Sequence, residues 1–311
     1  MKSPTEITLA VEALKEGELV AFPTETVYGL GADATSDQAV AKVFAAKGRP
    51  SINPLISHVA GAQAGFALGI FSEDAKKLAE AFWPGPLTIV APRAAKCPVS
   101  LLASAGLSSI ALRVPDHPLA LELLRAVGRP IVAPSANLSG RVSPTTAAHV
   151  KRGIGKKVSV ILDGGPCTVG VESTVVSFMG TRATLLRPGG LSRDAIENVL
   201  GHALEVETDS AQPHSPGQME SHYAPHAFLR LEATAPRKGE SYLGFGSHDD
   251  GPYTLSARGD VIEAAANLFR MLHELDSLGV RAIAVAPIPH VGLGEAINDR
   301  LRRAAAPRPQ T

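Results

Sequence analysis

Lys47 and Arg49 flank Gly48, and Pro50, Asn53, Pro54 and His58 follow within a few residues. An isolated pair of cations there need only complement the C-terminal dipole of a helix. A site that handles phosphates needs a fixed positive clamp, and these residue types suit one. The guanidinium fork of Arg49 matches two phosphate oxygens, while Lys47 supplies a point charge. Pro50 and Pro54 restrict the loop that carries them. Two more arginines stand at strand ends. Arg113 closes the apolar run SSIALRVP, the end at which α/β proteins place ligands, and it is a candidate holder of a substrate carboxylate. Arg187 closes TLLR in the same way. Ser135 and Asn137 in PSANLSG, with Ser143 just beyond, offer donors and acceptors in a turn. Each signal is weak alone.

Other motifs exclude alternatives. GLGADA at 29 to 34 superficially matches a dinucleotide turn, but the helix start expected near Ser36 lies beyond it and Asp33 inside it repels phosphate. A turn that needs glycine backbone freedom accounts for Gly29 and Gly31. GIGKK lacks the glycine spacing and the hydroxyl residue of a Walker A loop. His222 and His226 are four apart, a chelating spacing on a helix, but Pro225 between them argues against a helix and hence against metal. Cys97 and Cys167 are the two cysteines of the chain, without a CxxC, and read as free thiols.

The elements that carry these residues alternate between helix and strand. Thr5 to Glu16 has helical spacing, and LVAFPT reads as a buried strand. Ser36 is placed to cap a helix with Val40, Val43 and Phe44 on one face, ended by Gly48 and Pro50. A helix over 72 to 82 stops at Trp83-Pro84-Gly85-Pro86, and LTIVAPR, SSIALRVP, VSVILDGG, STVVSF and TLLRPG supply strands. Connections between the later strands are too short for helical crossovers, so part of the sheet is expected to be antiparallel. Residues 207 to 226 are rich in Pro, Ser and His without periodicity and read as a linker. Beyond it, FLRLEA, SYLGFG and RAIAVAPI read as strands, with helices over 260 to 278 and from about 294 to 305. The expectation is two α/β domains, 1–206 and 227–311, the second with a parallel Rossmann-like sheet.

The chain has 311 residues, 45% of them hydrophobic and 19% charged, and its 30 basic residues balance its 30 acidic ones. A net charge of zero gives no global pull on nucleic acid. Residues 1–206 carry net +3 and residues 207–311 net −3, a small offset. KRGIGKK at 151 to 157 reads as the exposed end of a helix rather than as an RNA patch. No apolar run of about 18 residues is present to span a bilayer, and acids break the N-terminal apolar positions, so a cytoplasmic protein without a membrane partner is expected.

Taken together, residues 22 to 58, PSANLSG at 134 to 140, GVESTVV at 170 to 176 and LLRPGG at 185 to 190 resemble, in order and spacing, the threonylcarbamoyl-AMP synthases, YrdC-like enzymes of tRNA modification. HSPGQMESHYAPH resembles the linker of two-domain members, and GLGEAINDRLRRAA the end of their second domain. The resemblance implies a YrdC-like twisted mixed sheet with helices, then a linker over the active site and a small Rossmann-like domain. It implies that L-threonine, bicarbonate or CO2, and ATP give threonylcarbamoyl-AMP and pyrophosphate. Mg²⁺ would be held mainly by the ATP phosphates and water, and partner proteins would pass the product to the adenosine beside the anticodon of tRNA.

By motif, Lys47 and Arg49 would neutralise charge in catalysis. Arg49, Asn53, Ser109, Ser135, Ser143, Arg187 and Tyr223 would hold ATP, and Thr26, His58, Arg113, Ala133 and Ser173 would line the threonine site. Two rivals stand beside this. One is an RNA-binding or ribosome-associated YrdC-like module with weak tRNA binding and no adenylate synthesis. The other is carbamoyl transfer as in hydrogenase maturation factors, against which the lack of an acylphosphatase-like region and of CxxC pairs argues. A dinucleotide dehydrogenase is remote.

Overall fold

The structure, a computed structural model, describes residues 4–206, 221–246 and 251–307. Ten strands form one sheet: β1 (Val20–Phe22), β2 (Gly29–Asp33), β3 (Ile56–His58), β4 (Leu87–Pro92), β5 (Ser109–Arg113), β6 (Ile131–Val132), β7 (Val160–Ile161), β8 (Thr174–Ser177), β9 (Thr184–Arg187) and β10 (Glu205–Val206). Around it lie α1 (Pro4–Lys15), α2 (Asp37–Lys47), α3 (Ala62–Phe66), α4 (Glu73–Phe82), α5 (Pro118–Val127), α6 (Ala147–Gly153) and α7 (Arg193–Leu200). The strand order is β10-β9-β8-β4-β5-β3-β6-β2-β1-β7. Pairing is mixed: β4 runs parallel to β8 and antiparallel to β5, and β8 runs antiparallel to β9. The short connections demanded antiparallel pairing, and β8–β9 shows it.

Local chemistry fixes the ends that matter. The Ser36 hydroxyl accepts from the Ala39 amide at the start of α2, and Gly48, with φ 61°, closes it in a left-handed conformation. That stop leaves Lys47 as the last helical residue and turns the chain sharply toward Arg49. Gly29 and Gly31 lie in β2, not in a turn, which corrects the sequence expectation. A Cβ on Gly31 would come within 2.8 Å of the Phe22 ring, so close packing rather than backbone freedom selects glycine there.

A second, three-stranded parallel sheet has the order β11-β13-β12, with β11 (Phe228–Arg230), β12 (Glu240–Leu243) and β13 (Ala282–Val285). Against it pack α8 (Val261–Ser277) and α9 (Gly294–Ala305), the latter over the very span that the sequence indicates. Residues 207–220 of the expected linker lie outside the described residues. Among those described, no helix is long and apolar enough to cross a membrane.

The two sheets share a core. Val27, Val142 and Val171 from the first part pack in one cluster with Ala264, Leu268 and Phe269 of α8. Gly170 touches α8 backbone to backbone. It has φ 77°, and a Cβ there would lie within 2.5 Å of the Ala265 carbonyl oxygen and the Ala266 Cα. Gly170→Ala is therefore expected to cost about 1–3 kcal/mol, read as a lower midpoint of urea unfolding.

His149 of α6 and His273 of α8 stack across the same boundary, with ring centroids 4.0 Å apart. Burial, aided by nearby cations, pushes them down to about 3 and about 4 from an ordinary 6.5. Between those values and 6.5 the unfolded chain binds protons that the fold excludes, so stability rises with pH through that window. Unfolding midpoints should fall steadily from pH 6.5 to 4, with a shallower slope in His273→Gln.

Candidate functional site

Where β3, β5 and β6 end beside the 170–174 segment, a narrow cavity of about 40 Å³ is lined by Arg49, His58, Arg113, Ser135, Ser173 and Arg187, with Ala133, Glu172, His222 and Tyr223 completing the wall. Each cation is locked by acceptors. The Lys47 ammonium donates to the Ser135 carbonyl at 2.5 Å and to the Asn137 carbonyl at 2.7 Å. Arg49 donates to the Asn53 carbonyl at 3.2 Å and to the Pro54 carbonyl at 3.0 Å, which is what the proline-restricted loop is for. Arg113 donates to Glu25 at 2.6 Å and to the Thr26 hydroxyl at 2.9 Å. Arg187 donates to the Ser173 carbonyl at 2.8 Å and to its hydroxyl at 3.2 Å.

Eight of the thirteen residues indicated by the sequence thus line one cavity. Lys47, Asn53, Thr26 and Ser143 join it one bond away, through Ser135, Arg49, Arg113 and Glu172 respectively. Ser109 does not come with them; it stands at the start of β5, four residues from Arg113, and lines a separate small cavity with Pro54 and Ser57.

Sequence reasoning missed four participants. Glu25 holds Arg113, and Glu172 accepts from Ser143 and, at 2.8 Å, from Arg300. Arg300 is only 1% exposed. It reaches in from α9, donating to Asp299 at 2.7 Å and lying 5.1 Å from the centroid of the Tyr223 ring. His222 packs its ring on Tyr223 with centroids 4.0 Å apart. Nothing local in the sequence marks α9 as a contributor, because its arginine faces a residue 128 positions away.

The electrostatics are lopsided. Among the described residues, Lys47, Arg49, Arg113, Arg187 and Arg300 are buried here against three carboxylates, Glu25, Glu172 and Asp299. Burial, then Arg49, pushes the Lys47 ammonium well below its ordinary value, and burial brings Arg49 down to about 10. Burial also drives His58 to about 3, with Arg113 adding to the effect, so its ring is neutral at pH 7. At Glu172 burial raises the carboxyl, but Arg300, Arg187 and Ser143 outweigh that and hold it ionised. Buried cations without matching anions are costly, so this arrangement favours a ligand that brings negative charge. Both amide atoms of Asn53, and Nδ1 of His58 and of His222, are buried without a partner, and such atoms await one.

A family model of the Sua5, YciO and YrdC proteins, described as "Telomere recombination", matches residues 12–189. A second, described as "Threonylcarbamoyl-AMP synthase, C-terminal domain", matches residues 191–306. A threonylcarbamoyl-AMP synthase of Bacillus subtilis is 42% identical over 97% of this chain and 94% of its own length. This chain belongs to the threonylcarbamoyl-AMP synthase family. A family member from Pyrococcus abyssi is 41% identical over 97% of the chain and 95% of its own. The crystal structure of P. abyssi Sua5 complexed with L-threonine superposes with a TM-score of 0.90 at 39% identity, over 98% of this chain and 95% of that one. The mixed sheet followed by a small parallel one is accordingly the fold of this synthase family.

Proposed function

We infer that this protein makes threonylcarbamoyl-AMP from L-threonine, bicarbonate or CO2, and ATP, releasing pyrophosphate. The observation that carries the reading is the surplus of locked, buried cations around one cavity in a chain that belongs to this family. The threonine amine captures CO2 as a carbamate, whose oxygen attacks the α-phosphorus of ATP. No enzyme nucleophile is required, and catalysis comes from position and charge. Lys47 and Arg49 neutralise the phosphates and the carbamate, and Asn53, Ser135, Ser143 and Arg187 hold ATP. Arg113, steadied by Glu25, takes the threonine carboxylate. Thr26 and Ser173 offer hydroxyls to the amino acid, and neutral His58 offers a ring nitrogen without adding charge.

Glu172 is the single carboxylate among the residues lining the cavity, and both its oxygens are engaged by Ser143 and Arg300. Mg²⁺ therefore enters on the ATP phosphates and water rather than on protein ligands. A volume of about 40 Å³ does not admit ATP, so the wall, which includes His222 and Tyr223, opens before nucleotide enters. The product passes to tRNA-modifying partner proteins.

The test is mass-spectrometric detection of threonylcarbamoyl-AMP together with pyrophosphate release. Product must depend on all three substrates. Arg113→Ala is expected to raise the KM for threonine by about tenfold or more while leaving that for ATP near its original value, since one charge-assisted contact is removed. Salt-sensitive tRNA binding with no ATP turnover would instead identify an RNA-binding module.

A further inference from the structure

A larger cavity lies elsewhere, at about 370 Å³, between the 137–144 loop, α6, residues 224–226 and the C-terminal end of α8. Its volume falls in the range of small-molecule sites, which is roughly 300–1,000 Å³. Its lining includes apolar Leu138, Val142, Pro144 and Ala224. It also carries donors. Arg141 lines it, and its Nη1 is buried without a hydrogen-bond partner. Arg152 lines it too, at the exposed end of α6.

His149 adds a third donor. Its Nδ1 accepts from the Thr145 amide at 3.2 Å, which in the neutral ring places the proton on Nε2. His273 turns its Nε2 toward the Ser143 carbonyl at 3.1 Å. Asp276, the one carboxylate among the described residues that line the cavity, is occupied by His226, accepting from its amide at 2.6 Å and meeting its ring at 2.8 Å. The lining therefore combines two arginines, a histidine with its proton on Nε2 and apolar side chains, with the one acid among its described residues already engaged.

We propose that this cavity binds a nucleoside monophosphate, its phosphate on Arg141 and Arg152 and its base against the His149 ring and the apolar side chains. Guanidinium forks match phosphate oxygens in pairs, and an aromatic ring beside aliphatic side chains gives a base a stacking surface. A cavity of single-ligand size, in a chain of zero net charge with two cations at this site, fits a mononucleotide rather than an RNA track.

Occupancy reaches the clamp through two bonds. The Asn137 side chain donates to the Arg141 carbonyl at 2.7 Å, and the same residue accepts from Lys47 through its carbonyl and its side-chain oxygen. A phosphate that draws Arg141 into the cavity thus acts on the turn that positions Lys47, and the site is placed to sense an adenylate. Binding there does not depend on the reaction assigned above.

The experiment is equilibrium dialysis of the full chain against 5′-AMP, comparing wild type with Arg141→Gln/Arg152→Gln. The double variant should bind one fewer AMP per chain, or lose affinity for one AMP by roughly tenfold or more, while keeping its thermal midpoint. A second variant, Arg187→Ala, alters only the catalytic cavity and should retain the AMP that the double variant loses. Equal stoichiometry and affinity in wild type and the double variant would overturn the proposal. So would binding of a short RNA, but not AMP, that the double variant abolishes. Synthase turnover enters neither readout, so failure here is distinct from failure of the proposed reaction.

Discussion

Arg49→Ala is expected to lower threonylcarbamoyl-AMP formation by about 10²–10³ without unfolding the protein. Arg49 is buried, and two of its donors are spent on the Asn53 and Pro54 carbonyls. The guanidinium is thus oriented before any substrate arrives, and losing one such preorganised group costs about 2.7–4 kcal/mol of barrier. Arg49→Lys should recover little, because an ammonium cannot keep both carbonyl bonds and still present a fork to phosphate. Lys47→Ala should be at least as severe, since Lys47 also ties down the Ser135–Asn137 turn. Initial rates by mass spectrometry and pyrophosphate release measure the effect. Unchanged turnover in both alanine variants would remove the clamp from the mechanism.

Arg300→Met should be the most damaging single change to stability, at about 3–5 kcal/mol, because it leaves the buried Glu172 carboxylate without its main counter-charge. Adding Glu172→Gln should restore a large part of the loss. The amide still accepts from Ser143, and Asp299 keeps Arg303 at 3.0 Å. Urea unfolding of the two single variants and the double variant forms a cycle, and a coupling below about 0.5 kcal/mol would show that the two charges act independently. ATP affinity should follow the same pattern, since an uncompensated Glu172 beside Arg187 repels triphosphate.

The sequence made much of this legible because its signals were local. Ser36, Gly48 and the prolines after Arg49 are punctuation with fixed backbone consequences, and they placed Lys47 and Arg49 before any tertiary contact was considered. The strand-end positions of Arg113 and Arg187 were legible for the same reason. Gly29 and Gly31 are not legible in this way, because close neighbours, the Ala133 methyl at Gly29 and the Phe22 ring at Gly31, rather than a dihedral angle select glycine. Glu172, Glu25 and Arg300 stayed hidden, since a carboxylate that neutralises a distant arginine has no periodicity or spacing to betray it. Ser109 was tied to the site by motif alone, and the register of β5 carries it to the far end of its strand.

The shared core also bears on how this protein can be divided. Val27, Val142 and Val171 are covered by α8, so cutting the chain near residue 206 would open an apolar window beside the cation-lined cavity. Such a fragment could retain every catalytic cation and still self-associate in solution, because exposed contiguous apolar surface drives aggregation. Making a soluble single-domain synthase from this chain would first require repainting those three valines with polar residues.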